Sequence, residues 1–138
     1  MKPFQSQIRL RKWHVDEAQR RVAELLRLEE RFREDRVKLD QELSTEQQAA
    51  SASIEAGMTY GAYAERLIER RDKLDRSIAE VVEQITQARE ALRDAFAELK
   101  KFELAAAAAE AREHRRRAQR DQQQQDEIAI GMFRSQAE

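Results

Sequence analysis

The sequence predicts an all-α fold: a long antiparallel two-helix coiled-coil hairpin with a C-terminal helical overhang. Three observations carry that expectation. Charged residues make up 38% of the 138 positions and aromatics only 6%, with three glycines and one proline; Ala, Glu, Arg, Leu and Gln dominate, residues that lose little free energy on entering a helix. So many charges cannot surround a thick core, but they suit thin helices that leave most of each surface in water. An apolar period of 3.5 residues runs through the second half, and a glycine-bearing segment near the middle separates it from a less regular first half.

The length allows at most one ordinary domain, so the chain reads as a single coiled-coil domain over residues 1–138. The first arm is expected over about residues 4–55. Its apolar positions are Ile8, Val15, Ala18, Val22, Leu25, Phe32, Leu39 and Leu43, with Glu29 and Arg36 interrupting the series.

The turn is expected at about residues 56–59, within Ile54-Glu-Ala-Gly-Met-Thr-Tyr-Gly61. Gly57 can adopt the left-handed conformation that closes a helix, and the Thr59 hydroxyl can cap the next one. An uninterrupted parallel dimer is the competing arrangement, and it leaves Gly57 and Gly61 inside a helix at about 1 kcal/mol each.

The second arm is expected over about residues 60–125. Alternate steps of four and three from Tyr60 meet Ala64, Leu67, Arg71, Leu74, Ile78, Val81, Ile85, Ala88, Leu92, Ala95, Leu99, Phe102, Ala106 and Ala109, and only Arg71 departs from the apolar series. Such a repeat describes a left-handed supercoil seam that requires a partner of similar length. Folding at residues 56–59 pairs positions whose numbers sum to about 115. Leu25 then meets Ala88 to Leu92, Val22 meets Leu92 to Ala95, and Val15 meets Leu99 to Phe102.

In that register the first arm runs out near Ala111, and the rest overhangs. The overhang holds His114-Arg-Arg-Arg117, a glutamine run from Gln122 to Gln125, and a tail over residues 126–138. Ile128, Ile130, Met132 and Phe133 in that tail form an apolar group with no intramolecular partner, suited to docking on another protein or left disordered. Trp13, the only tryptophan, sits on the outer face of the first arm with Leu10 three residues before it, and the pair is a second candidate contact.

Lys and Arg total 26 against 27 Asp and Glu, so no global field draws the chain to nucleic acid or anionic lipid, and binding falls to local patches. Nucleic-acid binding is not expected, since aromatics to stack on bases are missing near the arginines. With no cysteine, disulfides and thiolate chemistry are excluded. The longest apolar run, Leu104 to Ala109, is far below the ~20 residues of a transmembrane helix, so a soluble protein without a cleaved signal is expected. His14 and His114 are the only histidines and lie in no metal-binding spacing, and no glycine-rich phosphate loop occurs. The expectation is a protein without enzymatic activity or cofactor.

Several segments resemble the FliJ family of bacterial flagellar type III export proteins: Phe4-Gln-Ser-Gln-Ile-Arg-Leu-Arg-Lys12 followed by Val15-Asp-Glu-Ala-Gln19, Gly57-Met-Thr-Tyr60 leading into Tyr63-Ala-Glu-Arg-Leu67, and Gln125-Asp-Glu-Ile-Ala129. The resemblance implies a coiled-coil hairpin similar to the central stalk of rotary ATPases, seated in the hexameric export ATPase ring, touching the cytoplasmic domain of the export-gate membrane protein and contacting export chaperones. It implies a cytoplasmic location, peripheral to the inner membrane at the flagellar base. Tyr60, Tyr63 and Leu67 match the family's gate-contact positions near the turn. Tyr60 and Leu67 also fall on the seam and read more readily as core, whereas Tyr63 lies off it and is the better contact candidate. A stalk subunit of another secretion or rotary ATPase, or a generic helical scaffold, would share the same fold.

Overall fold

The computed structural model describes residues 2–137 and contains two helices packed against each other, α1 (Gln5–Ala50) and α2 (Ile54–Ala137), joined by three residues. Neither helix is long and apolar enough to cross a membrane. The fold is the coiled-coil hairpin that the period of 3.5 residues requires. Its contacts fall into two compact units, Asp16–Asp94 and the combination of Met1–Val15 with Ala95–Glu138.

The unit Asp16–Asp94 contains the turn, at residues 51–53 and not at 56–59. The reason is capping chemistry. The Ser53 hydroxyl accepts a hydrogen bond from the Ala56 amide at 3.1 Å, and the Ser53 carbonyl accepts the Gly57 amide at 3.1 Å. Ser53 is thus the N-cap of α2, satisfying a donor that the first turn of a helix cannot pair internally. The Ser51 hydroxyl donates to the Gln48 carbonyl at 2.7 Å and closes the end of α1. Small residues throughout Ala49-Ala-Ser-Ala-Ser53 let the backbone reverse in three residues. No glycine has a positive φ, and Gly57 and Gly61 lie inside α2. The helical cost assigned to a parallel dimer is therefore borne by the hairpin itself. Thr59 caps nothing; its hydroxyl donates back to the Ala56 carbonyl at 3.1 Å.

Moving the turn moves the register. Leu25 packs with Val81, Ile85 and Ala88, with Val22, Leu28 and Phe32 against that cluster. The partners of Leu25 thus begin about two turns earlier in α2 than Ala88 to Leu92. Arg36, a polar interruption of the seam, donates from Nε to Asp75 Oδ1 at 2.7 Å across the helices and from Nη1 to Asp40 on its own helix. Asp75, then Asp40, raise the Arg36 pKa further above its ordinary value, so it is charged at every relevant pH. The α2 seam positions from Tyr60 to Leu92 are all buried or half-buried, as are Ala18, Val22, Leu25, Glu29, Phe32, Arg36, Leu39 and Leu43 on α1.

In the other unit, the first turns of α1 pack against α2 between Ala95 and Glu113. Phe4 precedes α1 with φ of 59°, a left-handed conformation unfavourable for a bulky residue. Its carbonyl accepts the Ile8 amide at 2.9 Å, and its ring lies 6.0 Å from that of Phe102 at 56°. That aromatic contact holds the strained residue in place. The guanidinium of Arg11, on the seam, stands 5.2 Å from the Phe102 centroid. Arg11 Nε is buried without a hydrogen-bond partner, so the π face provides its electrostatic contact. Val15 is buried, and Ala95, Leu99, Phe102, Ala106 and Ala109 are half-buried. After Glu113 every described residue of α2 is exposed, yet the helix continues through the tail to Ala137. The tail continues α2, in a stretch rich in Gln, Ala, Arg and Glu, residues of high helix propensity.

Candidate protein-interaction surfaces

The turn-containing unit carries one candidate surface. Leu67 is 3% exposed and belongs to the core, and Tyr60 is half-buried on the seam. Tyr63 is also half-buried, and its hydroxyl donates to the Glu42 carboxylate on α1 while Arg66 lies 5.9 Å from its ring centroid. Tyr63 therefore ties the two helices together, and the Glu42 hydrogen bond raises its pKa above the ordinary tyrosine value, with desolvation second. None of the three sequence-derived positions is freely presented. The most exposed large apolar side chains of this unit are instead Ile54, at 85%, and Met58, at 80%. Four residues apart, they share one face of the first turns of α2. Sequence reasoning passed over them because it assigned both to the approach or body of a loop. The signal was available in Ser53, a capping residue immediately before an apolar i, i+4 pair.

The second unit carries the remaining candidates. Leu10 is 50% and Trp13 55% exposed, and the indole meets the neighbouring His14 ring edge-on, at 5.2 Å. More than half of the indole is open to water. Ile128 and Met132, four apart, are exposed on one side of the last turns of α2, and Ile130 and Phe133, three apart, on another. An open cleft of about 870 Å³ lies where the chain before α1 meets α2, lined by Lys2, Pro3, Ala109, Glu110, Arg112, Glu113, His114, Arg116 and Arg117. Glu113 is its electrostatic centre, 3.5 Å from Arg117 and 3.9 Å from Arg116. Among the described residues no group of three or more His, Cys, Asp or Glu is arranged to hold a metal ion.

These surfaces are set out on a helical hairpin whose seam follows the sequence repeat, and the family described as "Flagellar FliJ protein" matches the chain over residues 1–138. The chain belongs to the FliJ family. Membership makes it a component of the flagellar export apparatus, in a family that is not enzymatic. No curated protein and no solved structure matches the chain. The exposed apolar side chains on both units are the candidate contact surfaces of the chain.

Proposed function

We propose that the protein is a coupling component of the flagellar export apparatus that binds the export ATPase ring, the cytoplasmic domain of the export-gate membrane protein, and export chaperones. The observation that carries this reading is the family match over the whole chain, on a hairpin of two long helices. It works from the cytoplasmic face of the inner membrane, as a peripheral component at the flagellar base, and catalyses nothing itself.

The turn region is assigned to the gate. Ile54 and Met58 supply the exposed apolar contact there, with Tyr60 and Tyr63 supporting it from partly buried positions; a flexible methionine beside a branched aliphatic suits a groove that must adapt. The exposed group Ile128, Ile130, Met132 and Phe133 is assigned to the ATPase ring. A helix continuing beyond its intramolecular partner can bury apolar residues only against another molecule.

The test is capture of the purified protein by the export ATPase and, separately, by the cytoplasmic domain of the gate, both from the same organism. Retention by both supports the coupling role. Retention by neither, with the helices intact by circular dichroism, overturns it.

A further inference from the structure

The unit formed by Met1–Val15 and Ala95–Glu138 is not neutral. Residues 2–15 together with 95–120 contain eleven Lys and Arg against four Asp and Glu, although the whole chain carries a formal charge of −1. Steps of four and three past Ala109 reach Glu113, Arg116 and Arg120, so the face of α2 that is a seam further back carries two exposed arginines after Glu113, where α1 no longer covers it. Lys2 and Pro3 share a cleft with Arg116 and Arg117. The α1 side of this unit therefore presents, in succession, Trp13, Leu10, Arg9, Lys2, Arg116 and Arg117. All are exposed.

Two features decide what such a surface fits. Positive charge coincides with exposed apolar side chains: within the same residues 2–15 and 95–120, Phe4, Leu10, Trp13, Phe96 and Leu104 are exposed. Nor is there a closed pocket, since the cleft is open and its arginines share only Glu113. A shaped anion would find no buried donors, and bases would find one indole. A fluid sheet of negative headgroups needs neither, because it adapts to scattered cations while accepting an aromatic and a leucine at the level where headgroups meet acyl chains.

We propose that this face of the protein docks on an anionic phospholipid surface, with Arg9, Lys2, Arg116 and Arg117 at the headgroups and Leu10 and Trp13 entering the interface. The binding is a property of the protein alone and does not depend on the export reading. If the export ATPase takes up the same unit, membrane and ATPase compete for it.

The single tryptophan makes the test direct. The full chain is mixed with phosphatidylglycerol–phosphatidylcholine vesicles or with pure phosphatidylcholine vesicles, and both co-sedimentation and Trp13 emission are followed. Binding is expected only to the anionic vesicles, with a blue shift of Trp13 emission and progressive loss as sodium chloride is added. Each surface cation contributes about a fivefold factor in affinity. Joint replacement of Arg9, Arg116 and Arg117 by Gln is therefore expected to weaken binding by about a hundredfold, with circular dichroism unchanged. Joint Leu10→Ser and Trp13→Phe should weaken it less and leave salt dependence intact. Failure to bind anionic vesicles overturns the proposal. So does binding without a blue shift, or equal binding to duplex DNA, which would mark a general polyanion surface. ATPase capture is measured without lipid, so loss of one result leaves the other standing.

Discussion

The two units use the same pair of helices to opposite ends. Asp16–Asp94 contains six of the seven buried apolar side chains and 14 Lys and Arg against 19 Asp and Glu; the other unit contains only Val15 from that core and 12 Lys and Arg against 8 Asp and Glu. One unit holds nearly all of the buried core, and its polar seam residue Arg36 finds a carboxylate on the opposite helix. The other faces an alanine-rich seam to α1, holds it through Phe4, Arg11 and Phe102, and leaves its larger apolar groups and its arginines to solvent. Core packing is thus concentrated in the first unit, and the excess of cations and most of the exposed apolar side chains in the second. A charge inserted in the first unit should unfold it, and the same charge in the tail should be tolerated.

The largest expected effect follows from that contrast. Ile85→Asp places an unpaired carboxylate among Leu25, Val81 and Ala88 and should cost at least about 4 kcal/mol. Ile128→Asp should change stability by less than about 0.5 kcal/mol. Parallel thermal melts by circular dichroism compare the two, and equal effects would break the distinction. Next comes Phe102→Ala, which removes the ring supporting both Phe4 and Arg11 and should destabilise by about 2–3 kcal/mol. Hydrogen exchange should then quicken in the first turns of α1 before it does around Leu25.

The period of 3.5 residues made the seam legible in advance. Every α2 position from Tyr60 to Ala109 obtained by alternate steps of four and three is buried or half-buried, because a supercoil keeps that face toward its partner regardless of which residues occupy it. Even Arg71 and Arg36 obey it. The turn was less legible, since Gly57 invites a C-cap while Ser53 provides the stronger, side-chain cap. From that displacement of a few residues came the shifted register around Leu25 and the neglect of Ile54 and Met58. Tyr63, off the seam by spacing, was expected to be free; its hydrogen bond to Glu42 depends on the cross-helix register, which no local pattern encodes.

Smaller effects sharpen the placement of the turn. A Cβ at Gly61 meets nothing within 4 Å, and at Gly57 it meets only the Ala50 carbonyl at 3.6 Å. Gly61→Ala should therefore stabilise by about 0.5–1 kcal/mol through helix propensity; destabilisation would return that residue to a loop. Smallest is the contribution of Tyr63. Its folded pKa lies above the ordinary tyrosine value of about 10. The stabilisation is accordingly complete below that ordinary value and is lost as pH rises through the raised one. Tyr63→Phe should remove this alkaline component of the melting curve while leaving neutral-pH helix content unchanged.

The most direct test of the proposed coupling role, with one partner on each unit, uses capture by the export ATPase and by the gate's cytoplasmic domain in two variants with intact helices. Joint Ile54→Ser and Met58→Ser should lose the gate domain and keep the ATPase, whereas joint Ile128→Ser and Phe133→Ser should do the reverse. Loss of both partners in either variant, or of neither in both, would contradict the assignment of one partner to each unit.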